Sequence, residues 1–465
     1  MVIGEKTASD RAVNRRVRRA GGFAVVGALA LAAPALGPAS AAPFVVVAGL
    51  AAFVVDDGPV FEVFARPGEH EEHTLYGLVG FSLAAAGLGL LVALFDLPLS
   101  VFLVSVLVLS AGDLAEAVAE GYRSAAFATT AFVVVGAAAG LAGQLLVGLA
   151  TPDLASRPAF VAFLAASAAL VAALVRTALS PRDDALVLFS AGLTVWLLTA
   201  LPIDPSPAKV LAAVVVSAGF GGLAYALGVA SVSGMLTGVL AALVMVVLGG
   251  FGWFALLIAF FGVGGLSTRF GYDRKQERGL AEANGGARGS ANVLANAAVA
   301  LAAVVGYAAS PLFSMPRAIF LYVFAGSLAA AMADTLSSEV GGLFDTPRLV
   351  TTLEPVPPGT DGGVTWQGGL AGVGGAALVA GLAVLALGTS PAGALVICAA
   401  GVVGTLVDSL LGALVENHRI DAVVGRLAPD LGERRVGNTA VNFLTTLIAA
   451  VVCAALAVVV GLAPL

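Results

Sequence analysis

The sequence predicts an all-α fold, a polytopic helical integral membrane protein with about 15 transmembrane helices in a range of roughly 13–16. Three observations predict it. Hydrophobic residues make up 59% of the chain and charged residues only 11%, whereas a soluble domain carries about 25% charged residues. The mean hydropathy is +1.01. Apolar runs of about 20 residues, the length that crosses a bilayer, recur along the whole chain. A transmembrane β-barrel would alternate apolar and polar residues, and runs such as Val239–Leu248 do not.

The elements follow in order. Arg15-Arg16-Val17-Arg18-Arg19 precedes the first apolar run with no polar cleavage region after it, so no cleavable signal is expected. The same basic cluster places the N-terminus in the cytoplasm by the positive-inside rule. Spans are expected near 20–36, 42–56, 74–95, 99–119, 125–150, 158–179, 185–201, 208–227, 229–248, 250–268, 290–310, 317–339, 367–388, 392–416 and 437–463. Short turns separate them, among them Asp96-Leu97-Pro98, Thr151-Pro152-Asp153, Ser180-Pro181-Arg182, Pro202-Ile203-Asp204-Pro205 and Ser310-Pro311. Alternation from a cytoplasmic N-terminus puts 268–290, 340–366 and 417–436 on the cytoplasmic side. Those segments hold Arg269, Arg274, Lys275, Arg278, Arg288, Arg348, Arg419, Arg426, Arg434 and Arg435, while the opposite loops hold chiefly Arg157 and Arg317. The expected location is a cell membrane, multi-pass, with the polar loops sharing its cytoplasmic face.

Other classes are set aside by composition. Cys398 and Cys453 lie in apolar helices, so neither a disulfide framework nor a cysteine metal site is implied. His70, His73 and His418 are scattered over two distant loops and read as solvated side chains. The net charge is −6, and no nucleic-acid partner is expected. The bilayer is the first partner.

The chain reads as two parts, 1–200 and 201–465. Each contains apolar helices that end in carboxylates: Gly112-Asp113-Leu114-Ala115-Glu116, Ala333-Asp334-Thr335-Leu336-Ser337-Ser338-Glu339, and Val407-Asp408-Ser409-Leu410-Leu411-Gly412 ending in Glu416. An ionisable group at membrane depth costs roughly 2.5–3.5 kcal/mol on insertion scales, so it usually faces a site or a water-filled cavity. Glu120 and Glu416 read as charges at the headgroup level. Asp334 and Asp408 sit deeper and read as functional.

Four constellations in the second part could carry chemistry. Gly264-Gly265 through Lys275 and Gly285-Gly286-Ala287-Arg288-Gly289 form a glycine- and arginine-rich loop before a helix. Glycine lets backbone N–H groups approach an anion, and a helix N-terminus adds its dipole. An ordinary positive-inside loop with turn glycines has the same composition. Asn292 and Asn296 share one face of the following helix, and Asn438 and Asn442 repeat the device in the last one. Buried amides of this kind serve a ligand or join helices. Asp334 shares a face with Ser338, and Thr335 with Glu339; oxygen ligands at that spacing suit Mg²⁺ and substrate phosphates. The polar loop Glu354 to Gly363, which includes Gly359, Thr360, Asp361 and Gly362, leads into the helix at Trp366, and Asp408 with Ser409 and Gly412 marks the next one.

These strings, taken together over about 205–463, resemble the polytopic membrane family catalogued as domain of unknown function ninety-two, which includes transmembrane protein 19 and the plant phytyl-phosphate kinases. The first part is more weakly similar to dolichol kinase and prokaryotic polyprenol kinases. It carries Arg18-Arg19, Arg66-Pro67-Gly68-Glu69 before Tyr76-Gly77, and Leu109 to Glu116, but Ala20-Gly21-Gly22 stands where a histidine belongs in that pattern, and no glycine-lysine loop follows Asp113. The resemblance implies a kinase of an isoprenoid alcohol or isoprenyl monophosphate, using CTP and Mg²⁺ at the cytoplasmic face. Lys275 and Arg288 would hold nucleotide phosphates. Asp334, Glu339 and Asp408 would carry Mg²⁺ or position the acceptor oxygen, and the apolar helices would hold the prenyl chain. The first part would be a divergent copy. The rival reading is a secondary transporter, whose polar groups belong at the midplane on broken helices of both halves.

Overall fold

With no water in a bilayer core, a spanning backbone must satisfy its own hydrogen bonds, and the apolar runs accordingly form helices almost throughout. The computed structural model describes residues 2–121, 124–148, 157–178, 183–280, 289–415 and 437–464. Thirteen helices among the described residues are long and apolar enough to cross a membrane. The difference from the expected number has two sources. The spans expected at 20–36 and 42–56 form one helical run, Val13–Phe53, of 41 residues. The span expected at 185–201 is a helix of only 16 residues, Asp184–Thr199. A straight run of 41 residues would be about 60 Å long, twice the hydrocarbon thickness; this one is broken at Gly37, whose φ is +55°.

The chain divides into two units, Met1–Ala212 and Ala213–Leu465. In the first, α1 (Val2–Ala28), α2 (Ala42–Phe53) and α3 (Gly58–Phe64) precede α4 (Tyr76–Phe95), α5 (Leu99–Glu120), α6 (Ala125–Gly148), α7 (Pro158–Ala178) and α8 (Asp184–Thr199). The central element is α5, buried without interruption from Val101 to Ser110. It packs on α1, α6, α7 and α8. Small residues allow this: a Cβ on Gly140 of α6 would lie 2.7 Å from Val104. The helix α9 (Pro207–Ala226) contains the boundary between the units.

The second unit continues with α10 (Val232–Val244), drawn out by a π turn over Met245–Gly249, then α11 (Phe251–Arg269) and the short α12 (Tyr272–Glu277). No apolar periodicity marks α12, which lies inside the segment expected as loop. There follow α13 (Ser290–Ala309), α14 (Arg317–Gly341), the strands β1 (Arg348–Leu349) and β2 (Gly363–Val364), α15 (Trp366–Leu387), α16 (Pro391–Val415) and α17 (Asn438–Val459). The centre is α14, buried continuously from Phe324 to Ala333 and packed on α11, α13, α15, α16 and α17. Gly368, Gly372 and Gly375 of α15 lie against the backbone carbonyls of Ser337, Ala333 and Met332, where a Cβ would approach within 2.7–3.1 Å. β1 and β2 pair antiparallel, Arg348 opposite Val364, and fold the 342–365 segment into a hairpin.

Candidate functional site

The residues after the buried stretch of α14 define the site. Asp334, Thr335, Ser338 and Glu339 line a cavity of about 410 Å³ together with Asn292, Asn296, Gly359, Thr360, Asp361, Gly362, Asp408, Ser409, Asn438, Asn442 and Lys275. Each of the candidate constellations of the second unit therefore contributes described residues to one cavity, although Gly264, Gly265, Glu354 and Gly412 do not line it. Gly285, Gly286 and Arg288 lie outside the described residues, as do Glu416 and the segment 417–436.

Helix direction organises the cavity. Asp334 and Asp408 lie in the last third of α14 and α16, two turns before each helix ends. Asn292, Thr365 and Asn438 stand at the N-terminal ends of α13, α15 and α17. Helix N-termini carry partial positive charge and unsatisfied N–H groups, and C-termini carry the opposite. One wall is thus suited to a cation and another to an anion. Thr365 caps α15 by accepting a hydrogen bond from Gly368 N at 3.0 Å. The hairpin closes the cavity at Gly362, whose φ is +73° and whose Cβ would meet Ser409 O at 2.7 Å. Only glycine fits there.

Asp334 and Asp408 are within hydrogen-bonding reach of each other. Two ionised carboxylates at that separation repel unless a proton or a cation lies between them. Asp408 also accepts from Thr445 Oγ1 at 3.1 Å, and Ser338 donates to Asp334 O at 2.9 Å. Asn296 Nδ2 donates to Asn292 O at 3.0 Å. The Oδ1 of Asn292 is buried with no hydrogen-bond partner among the described residues. A buried amide oxygen in that state costs about 1–3 kcal/mol, so it is poised for a donor from a ligand.

Two expected roles change. Lys275 is buried, 3% exposed. Its ammonium pairs with Glu339 and also donates to Ser267 O at 3.0 Å and Thr268 O at 3.5 Å. With its three donors engaged, it does not present a charge for a nucleotide phosphate. It fixes α12 to the end of α14 instead. For the same reason Glu339 is occupied by a cation already. Among the described residues no group of three or more histidine, cysteine or acidic side chains stands ready for a metal ion. The donor set that remains is Asp334 with Asp408. Arg274 and Arg278 likewise hold Asp345, and Arg278 also donates to Gly342 O at 3.0 Å. Thr445 was missed by sequence reading. Its signal was its place on the polar stripe of α17, seven residues after Asn438 and three after Asn442.

The fold and site define a polytopic helical membrane protein with a polar cavity at one end of its second helix bundle. The chain belongs to the integral membrane protein family DUF92, whose model matches residues 215–450. It is 38% identical to an uncharacterized membrane protein of Methanocaldococcus jannaschii over 174 residues, covering 37% of this chain and 68% of the relative. It is 32% identical to Protein PGR of Arabidopsis thaliana over 232 residues, covering 43% of this chain and 79% of the relative. Protein VTE6, chloroplastic, of the same plant is 30% identical over 168 residues, which span 34% of this chain and 48% of the relative. No solved structure matches the chain.

Proposed function

We propose that the protein is a membrane-embedded kinase of an isoprenoid alcohol or isoprenyl monophosphate, taking its phosphoryl group from a nucleotide, CTP being the first candidate. The observation that carries this reading is the polarity of the cavity: two carboxylates within hydrogen-bonding reach of each other, in a cavity also lined by residues at three helix N-termini. Phosphoryl transfer needs placement and charge neutralisation more than covalent chemistry. Mg²⁺ is typically held by one or two carboxylates, with substrate phosphates and water completing its shell. Asp334 and Asp408 fit that donor set. When bound, the ion would neutralise charge on the transferring phosphate. The N-termini of α13, α15 and α17 would hold the remaining phosphate oxygens. The amide of Asn292 would orient a bound hydroxyl or amino group. Arg288, beside the start of α13 in sequence, is the proposed phosphate clamp in place of Lys275. A cavity at the bundle end lets a soluble nucleotide meet a lipid acceptor whose chain stays among apolar helices, and the cytoplasmic face is the side where nucleotide is present.

The test is direct. Purified protein is incubated with labelled CTP or ATP and a panel of prenyl alcohols and prenyl monophosphates. Labelled lipid that requires Mg²⁺ is expected. Asp334→Asn and Arg288→Ala should each abolish it while the protein stays folded. Full activity in both variants would overturn the mechanism. Solute uptake by proteoliposomes without nucleotide turnover would point to the transporter reading.

A further inference from the structure

A second cavity, of about 290 Å³, lies in the first unit, outside the part of the chain that the family covers. Its charged wall is an arginine–carboxylate network. Asp113 accepts from Arg16 at 3.1 Å and from Arg176 at 2.7 Å. Glu116 pairs with Arg176 at 2.8 Å, Asp184 with Arg66 at 2.6 Å, and Glu120 with Arg16 at 3.5 Å. Every carboxylate on the wall is therefore already matched to an arginine, so the cavity does not call for a cation.

Arg19 differs. It lines the same cavity and is partly buried. Its guanidinium has no hydrogen bond or ion pair among the described residues. It follows Arg16 by three residues and precedes Phe23 by four, so the three share one face of α1 and the cavity lies along it. Arg18, one residue away, points outward and is exposed. Arg19 has the cations Arg16 and Arg66 and the carboxylates Asp113 and Glu69 among its electrostatic neighbours, but Asp113 is already held by Arg16 and Arg176 and Glu69 by two backbone N–H groups. A guanidinium is always charged and offers five donors with no acceptor. A bound anion would give those donors the direct acceptors that neither nearby carboxylate supplies.

The site is built rather than incidental. Glu69 is completely buried and accepts from Arg66 N at 2.8 Å and from Gly77 N at 2.6 Å. That carboxylate fixes the loop that carries Arg66, and the Arg66 side chain crosses Gly77, where a Cβ would clash with it at 2.7 Å. Phe23, Phe81, Leu109 and Val187 make the other wall apolar.

We propose that this cavity binds a phosphate monoester or diphosphate group, with Arg19 as its ligand, the lining arginine that no carboxylate pairs with among the described residues. Arginine forks bind phosphate oxygens two at a time. The apolar wall favours a phosphate carried by a lipid over a free one. The inference does not depend on the kinase reading of the second unit.

The test uses the full chain in nanodiscs of dioleoylphosphatidylcholine, which lacks a phosphate monoester. Dioleoylphosphatidic acid and inorganic pyrophosphate are titrated separately and bound ligand is counted by native mass spectrometry. Phosphatidic acid should bind at one saturable site. Arg19→Gln should weaken it about tenfold or more, the effect of losing one charge-assisted contact, with the protein still folded because Arg19 holds no structural partner. Arg18→Gln, which removes the same charge from an exposed position, should have little effect. Binding of phosphatidic acid alone assigns a lipid phosphate. Binding of pyrophosphate alone assigns a soluble phosphate. No saturable binding of either, or equal loss in Arg18→Gln and Arg19→Gln, overturns the proposal and leaves the network a structural one.

Discussion

The pair Lys275–Glu339 can be tested as a structural device because its two members are not equally exposed. The Lys275 side chain is 4% exposed and that of Glu339 is 16% exposed, on the cavity wall. Glu339→Ala leaves a buried ammonium with two carbonyl acceptors and no counter-charge. Removing one partner of a buried pair costs about 3–5 kcal/mol. Lys275→Ala leaves a carboxylate that cavity water can reach, so the cost falls to about 1–3 kcal/mol. For a unit of this size, each kcal/mol moves the melting temperature by about 2–4 °C. Glu339→Ala should therefore lower it by about 6–20 °C, and Lys275→Ala by clearly less. The double variant Lys275→Met/Glu339→Leu removes both charges and keeps the volume. It should melt well above the sum of the two single losses, because apolar replacement of a buried pair is often neutral or better. The assay is thermal unfolding of the purified full chain, followed by tryptophan fluorescence. Equal losses in the two single variants, or strict additivity in the double, would refute the account of Lys275 as a staple.

Three other outcomes follow from the cavity. Thr445→Val removes the hydroxyl that donates to Asp408 at 3.1 Å; on the proposed kinase reading, the Mg²⁺ concentration for half-maximal turnover should rise about 10–100-fold with little change in folding, as for other supporting ligand contacts. Gly362→Ala places a side chain at φ +73° and against Ser409 O. It should cost about 1–3 kcal/mol and make the 342–365 hairpin a preferred site in limited proteolysis. Asn292→Leu removes an orphaned buried oxygen; the variant should be as stable as the parent or more so by about 1–3 kcal/mol, yet turn over nucleotide more slowly.

Much of this was legible in the sequence because hydropathy and helical spacing are local. The apolar runs give the helices, and the i, i+4 pairs place Asn292 with Asn296 and Asp334 with Ser338 on common faces. A carboxylate at membrane depth marks a cavity by its cost alone, which is why Asp334 and Asp408 stand out in the sequence itself. Pairings between distant segments were not legible. Nothing near Lys275 says that Glu339, 64 residues on, takes its charge, and a lysine in a basic glycine-rich loop looks the same as a phosphate ligand. The partners of Asp113 stand 97 and 63 residues away, and that of Arg66 is 118 away. The joining of two expected spans into Val13–Phe53 was hidden for another reason: Gly37-Pro38 reads as a full turn in sequence, while the helical turns resume on either side of it.

The two units use similar carboxylate-ended helices to opposite electrostatic ends. Asp113 is held between two arginines, so its negative charge supports the fold. Asp334 faces Asp408 with no cationic side chain paired to either among the described residues, so its charge strains the fold until an ion or a proton enters. The same substitution should then act with opposite sign. Asp113→Asn leaves Arg16 and Arg176 short of a counter-charge and should lower the melting temperature, at a cost of about 3–5 kcal/mol, as expected for breaking a largely buried pair. Asp334→Asn replaces a like-charge contact with a neutral amide that can donate to Asp408, and should leave the temperature unchanged or raise it in Mg²⁺-free buffer. On the proposed kinase reading, turnover should fail in the second variant because a proposed ligand of the ion is lost. In the first it should follow the fraction of protein that stays folded. Thermal unfolding of both variants with and without Mg²⁺ separates the cases. Destabilisation of the same size in both, without Mg²⁺, would show that Asp334 is neutralised within the protein and would remove the physical basis for placing a metal there.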